Sequence, residues 1–260
     1  MKPGLKRGIK LAAILLLAVL AVPVVAIGSA FVGRSPIEDG LELEGVARVV
    51  KDGYVSLAVL NVGGGKVALV DAGNDAAGKA ILAELSRRKL GAEAVTAIFV
   101  THGHADHTAG CHLFPAAAIY ALAGDVALAE GREAMHSPMG KLVGPRDNGT
   151  RITRALTDGE TIRVGSRAVQ VFALPGHTPG SAAYLVDGVL FLGDSASASA
   201  GGKLDPAPYV FSDDQAQNRA SLGALGDRLR PRAAEVKALV PAHSGVLRGL
   251  TPLLTFSGRR

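Results

Sequence analysis

The chain has 260 residues, 48% of them hydrophobic but only 4% aromatic, with no Trp and a formal net charge of +5. The length suits one large two-layer domain or two small ones, and a core of Val, Leu, Ala and Ile suits strands sandwiched between helices more than an aromatic binding platform. The charge excludes a nucleic-acid processor, because its excess sits at one end. Lys2, Lys6, Arg7, Lys10 and Arg34 lie in a stretch without acids, leaving 23 of the 28 basic residues against 23 acidic ones in the body.

The N-terminal segment, residues 1–34, carries no charge from Leu11 to Gly33. About 20 such residues span a bilayer as a helix, and the preceding Lys and Arg would stay on the cytoplasmic side. The expectation is a retained membrane anchor that places the body in the periplasm or outside the cell. The alternative is a signal peptide cleaved after the small residues Gly28 and Ala30, giving a secreted protein. Residues 35–43, with Pro36 and Gly40, read as a polar linker, and 44–260 as the functional domain.

Three strands follow at 47–51, 54–62 and 66–71, the last two joined by a Gly63-Gly64-Gly65 hairpin turn. Apolar spacing predicts a helix over 75–90, stopped by Gly91. A strand at 95–100 runs into Thr101–Gly110, and a strand at 116–122 and a short helix at 125–130 come next. Residues 131–158 have no period and carry Pro138, Pro145, Gly140, Gly144 and Gly149, the marks of a substrate loop or lid. Strands are expected at 161–164, 168–173, 181–186 and 189–192, then a second loop at 195–214, a helix at 215–229, a strand at 236–240 and a short tail from Gly249. His136 in the first loop and Tyr209 and Phe211 in the second are candidate substrate contacts. Cys111, the single cysteine, excludes an intrachain disulfide; it reads as a packed residue, as does His112.

The chemistry concentrates in THGHADHTAG, residues 101–110, which sets three histidines and a carboxylate within six residues. Imidazole and carboxylate are ligands of borderline divalent metals. At a strand exit His102 and His104 fall on one side, and a helix beginning near Asp106 presents Asp106 and His107 together, giving two pairs and two possible metal sites. Downstream, His177 sits in LPGHTPGS between Pro-Gly steps that hold the backbone, Asp194 ends the apolar run VLFLGDS, and His243 follows the strand in LVPAHSG.

Over about residues 44 to 245 the pattern resembles the metallo-β-lactamase-fold hydrolases, whose αβ/βα sandwich is the expected α/β fold class. The resemblance implies that His102, His104 and His177 bind one divalent ion and Asp106, His107 and His243 another, with Asp194 bridging. Zinc is the expected metal, and a metal-bridging hydroxide would attack an ester, thioester, lactone or amide while Asp106 doubles as a proton acceptor. Asp71 in LVDAG would support the metal loop from behind, although on its own it reads equally as a turn residue. True metallo-β-lactamases that resemble the rest of the motif lack an Asp at the position of Asp194, whereas glyoxalase II-like thioesterases, lactonases and phosphodiesterases have one. The expected partner is therefore a small acyl substrate, with no nucleic acid and with the membrane through residues 1–34. The domain is expected to work without the helical C-terminal domain of glyoxalase II-like enzymes. The alternative activity is a persulfide dioxygenase with a single iron; a β-lactamase and a non-catalytic metal-binding domain are further readings. Oligomeric state is not encoded in any of these features.

Overall fold

The computed structural model describes residues 28, 30–142 and 144–256. The chain divides into two units, 1–33 and 34–260. Of the first unit only residues 28 and 30–33 are described, and the apolar run proposed as a membrane helix lies, from residue 11 to 27, outside the described residues. Among the described residues no helix is long and apolar enough to cross a membrane.

The second unit is built on two sheets. The first has seven strands in sequential order: β1 (Glu42–Leu43), β2 (Ala47–Asp52), β3 (Val55–Gly63), β4 (Lys66–Val70), β5 (Val95–Phe99), β6 (Ala118–Leu122) and β7 (Arg154–Leu156). β1 to β4 form an antiparallel meander, whereas β4, β5, β6 and β7 run parallel. The turn between β3 and β4 needs positive φ at successive residues, and Gly64 and Gly65 supply it at 61° and 68°. The second sheet has six strands in the order β15-β14-β11-β10-β9-β8, where β8 is Thr161–Val164, β9 Arg167–Ala173, β10 Ala182–Val186, β11 Val189–Gly193, β14 Ala238–Pro241 and β15 Leu247–Arg248.

The sheets pack face to face because each has one inner apolar face. Leu60, Val70 and Phe99 from the first meet Val171, Tyr184, Phe191 and Val240 from the second in one buried cluster. Each large apolar side chain buried there contributes about 1.5–3 kcal/mol. Helix α1 (Lys79–Arg87) covers the outer face of the first sheet with Ile81 and Leu85 on Leu69 and Ile98. On the outer face of the second sheet, Leu222, Leu225 and Leu229 cluster with Leu190, Leu192 and Leu239. These three residues belong to a long helix, Gln215–Leu229. The result is the expected mixed α/β sandwich.

Several elements differ from expectation. The helix predicted over 75–90 spans only 79–87, because the Asp75 carboxylate accepts the backbone N–H groups of Ala77 and Lys79 and holds a turn, and Gly78 enters with φ 61°. Residues 35–43 are seated on the domain: Ser35 N donates to Ala198 O, Gly245 N donates to Ser35 O, and Leu43 is fully buried. The first irregular loop ends in β7, and the second holds a small hairpin of β12 (Ala196–Ala198) with β13 (Leu204–Pro206). The tail after Gly249 carries a short helix, Thr251–Leu254.

The candidate metal centre

Strand direction explains why distant residues converge. The C-terminal ends of the parallel strands β4, β5 and β6 share one edge of the first sheet, and from it emerge Asp71, the His102–His107 stretch and Asp125. In the second sheet β9, β11 and β14 point the same way, since β10 is antiparallel to both β9 and β11 and β14 is parallel to β11. Their ends deliver His177, Asp194 and His243 to the facing edge.

All seven candidate residues meet there. His177 Nε2 lies 3.2 Å from His102 Nε2 and 3.2 Å from His104 Nδ1. Asp106 Oδ2 is 3.3 Å from His243 Nε2, and Asp106 Oδ1 is 3.9 Å from His107 Nε2. Asp194 stands between the two groups. Its Oδ2 is 3.0 Å from His243 Nε2, 3.7 Å from His177 Nε2 and 4.0 Å from His102 Nε2, and its Oδ1 is 3.3 Å from His107 Nε2. The ligand atoms fall into triads, His102/His104/His177 and Asp106/His107/His243, with His102/His107/Asp194 linking them.

For four of the five rings, a partner on the far side determines where the proton is. His243 Nδ1 faces the carbonyl oxygen of Tyr54 at 2.9 Å, which only accepts, so this nitrogen carries a proton. His107 Nδ1 likewise donates to Asp71 Oδ2 at 2.8 Å. The Thr101 hydroxyl gives its proton to Asp71 Oδ2 and the Ser212 hydroxyl gives its own to Pro208 O. Both therefore accept, from His102 Nδ1 at 3.2 Å and from His177 Nδ1 at 3.3 Å. In the neutral rings four Nε2 lone pairs point inward at one another and at two carboxylates. His107 Nε2 and Asp194 Oδ1 are buried without a hydrogen-bond partner. Lone pairs so arranged repel unless protons or cations stand among them, and imidazole with carboxylate is a donor set that fits divalent ions.

The electrostatics divide along the same line. Burial and neighbouring imidazoles hold His102 well below its ordinary value, and burial holds His104 at about 4 and His177 at about 3, so this triad is neutral. Burial also opposes charge on His107 and His243, but Asp194 and Asp106 outweigh it, assisted at His107 by Asp71. His107 is raised well above the usual range and His243 to about 9. Against their own burial, the same imidazoles draw Asp106 down to about 2 and Asp194 well below the carboxylate range.

Asp71 takes the supporting role rather than that of a plain turn residue. It is buried at φ 61° and accepts from Thr101 N, Thr101 Oγ1 and His107 Nδ1. Cys111 is fully buried, with its thiol pushed up by burial to about 12, and His112 Nδ1 faces Ala109 O at 2.9 Å; both are packing residues. His136 pairs with Glu133 and Asp213 instead of the cluster. Tyr209 is 66% exposed, in the turn Tyr209–Phe211 just before the Ser212 that orients His177.

Three neighbours were not anticipated from the sequence. Tyr54 stacks on the His243 ring with centroids 5.6 Å apart, and burial together with Asp106 and Asp194 raises its phenol to about 12. Arg34 Nη1 reaches the carbonyl oxygen of His243 at 3.5 Å. Asp125 is fully buried beneath the His102–His104 turn. None carries a sequence signal, since each reaches the site only through pairing of distant segments.

Comparison with known proteins agrees with this geometry. The family model described as the metallo-beta-lactamase superfamily matches residues 51–243. Hydroxyacylglutathione hydrolase of Shewanella oneidensis is 27% identical over 188 residues, covering 60% of this chain and 67% of the relative. That of Shewanella loihica is 29% identical over 208 residues, 78% of this chain and 66% of the relative, and that of Anaeromyxobacter dehalogenans 34% identical over 148 residues, 57% and 48%. The chain thus spans about half to two thirds of the length of these curated relatives. Among solved structures, a subclass B3 metallo-beta-lactamase of Bradyrhizobium japonicum superposes with TM-score 0.60 at 19% identity, covering 82% of this chain and 81% of that one. A metallo-beta-lactamase family protein from Thermus thermophilus gives TM-score 0.58 at 24% identity, covering 80% and 76%. At these identities the structural likeness speaks for the fold alone.

Proposed function

Since the chain belongs to the metallo-beta-lactamase superfamily, we propose that it is a hydrolase that cleaves a small ester, thioester, lactone or amide with two divalent ions, zinc in the first place. His102, His104 and His177 would hold one ion and Asp106, His107 and His243 the other, with Asp194 serving both. Bound there, the ions would polarise a carbonyl oxygen and make a water acidic enough to act as nucleophile near neutral pH. The chain's own residues do the rest. Asp71, Thr101, Ser212 and the Tyr54 carbonyl fix which nitrogen of the His107, His102, His177 and His243 rings faces inward. Asp106, one-fifth exposed at the edge of the cluster, is placed to receive a proton from the nucleophile.

The observation that carries this reading is the set of four inward Nε2 atoms closed around Asp106 and Asp194. The acyl class is supported by relatives named as hydroxyacylglutathione hydrolases. Substitution His102→Ala is expected to lower metal content and abolish hydrolysis across a panel of thioesters, esters and lactones; loss of metal with hydrolysis intact would contradict the assignment. We also propose, from the basic flank and the uncharged run of residues 11–33, that the domain is held on the outer side of a membrane.

A further inference from the structure

Asp125 hydrogen-bonds to none of the seven candidate ligands, yet its carboxylate is fully buried with both oxygens engaged. Its Oδ2 accepts from Gly103 N at 2.7 Å and from Thr178 Oγ1 at 2.6 Å, and its Oδ1 accepts from Gly180 N at 2.6 Å. Gly103 separates His102 from His104, while Thr178 and Gly180 follow His177. One carboxylate on the first sheet therefore binds the backbone between two members of a triad to the loop of the third, which belongs to the other sheet. The segments touch without slack. A Cβ on Gly103 would lie 2.6 Å from Ala129 N, and one on Gly180 would lie 2.3 Å from Asp125 N. The other triad has different supports, with Asp71 on His107 and the Tyr54 carbonyl on His243.

We propose that Asp125 is a positioning residue that sets the metal affinity of the His102/His104/His177 triad separately from that of Asp106/His107/His243. A buried carboxylate that satisfies several donors supports the fold wherever those donors lie, so their location is what distinguishes it. This one has three donors, and all three flank members of a single triad. The inference rests on the two-ion part of the proposed function and is independent of the substrate.

The test is a cobalt(II) titration of the chelator-treated full chain, with bound ions counted by equilibrium dialysis and the loaded histidines read from their ring NMR signals. The wild-type chain should take two ions. Asp125→Asn keeps the volume but turns an NH2 toward one of the backbone donors. It should weaken the ion at His102, His104 and His177 about 10–100-fold, the range typical for residues that orient ligands, and leave the other ion unchanged. Thr178→Val removes one of the three bonds and should weaken the same ion by less. A merely structural role would shift both ions together. Equal weakening of both ions, no weakening, or weakening confined to the other triad overturns the proposal, and if Asp125→Asn does not fold, unchanged binding in Thr178→Val does so. A wild-type chain that takes fewer than two ions overturns it together with the two-ion reading, whereas two ions in the wild type with an unaffected Asp125→Asn overturns this inference alone.

Discussion

His177 is a buried imidazole and His243 a largely buried one, yet their surroundings drive them in opposite directions. This gives the metal-free chain a characteristic pH dependence. His243 is raised to about 9 because Asp194 and Asp106 outweigh its burial, so its contribution to stability is complete below the unfolded value near 6.5 and is lost as pH rises through about 9. His177 and His104 are lowered by burial to about 3 and about 4. Their contribution is complete above 6.5 and is lost as pH falls toward those values. Thermal melts of the chelator-treated protein should therefore peak near pH 6.5 and decline on both sides. Zinc should remove most of the alkaline decline by taking the place of the proton among His243, Asp106 and Asp194. A metal-free melting temperature that keeps climbing from pH 6.5 to 9 would contradict the arrangement of charges described above.

At the scale of elements, the site depends on strand ends that nearly collide. Gly193 closes β11 immediately before Asp194 with φ 53°, and a Cβ there would lie 2.4 Å from Thr101 Oγ1, the hydroxyl that bonds both Asp71 and His102. Gly193→Ala combines a left-handed backbone with a clash across the sheets, and should cost about 1–3 kcal/mol. Urea unfolding measures that cost. Metal binding should fall with it, since Thr101 and Asp194 would both be displaced; a variant of wild-type stability and affinity would show that the two edges have more room. The same strands account for what was legible in the sequence. Apolar runs ending in Asp71, His102, Asp194 and His243 are local patterns, and their polar terminators mark a shared edge. Asp125 was legible only as the start of a short helix, because its role lies in hydrogen bonds to Gly103, Thr178 and Gly180, up to 55 positions away. The β12–β13 hairpin escaped for another reason. Its Ala-Ser-rich residues have weak strand preference, and it is held by tertiary bonds such as Ala198 N to Ser244 Oγ and Asn218 Nδ2 to Ser195 O.

For the whole molecule, two apolar sheets pressed together bring metal-binding groups from opposite halves of the chain into contact, so folding and assembly of the site are a single event. The proposed location has its own test. Protease added to intact cells, or to spheroplasts where an outer membrane is present, should digest the domain, and carbonate should leave it in the membrane fraction. Protection while the membrane stays sealed would refute the orientation, and a mature chain beginning near Phe31 would replace the anchor by a cleaved signal. The most direct test of the central claim is stepwise zinc reconstitution of the chelator-treated protein, following hydrolysis of an activated thioester as each increment of metal is bound. The expected result is negligible hydrolysis without metal, restored as zinc fills the site and complete at two ions per chain. Full hydrolysis in the metal-free protein, or a native protein that carries one iron per chain and consumes oxygen without cleaving any acyl substrate, would contradict it.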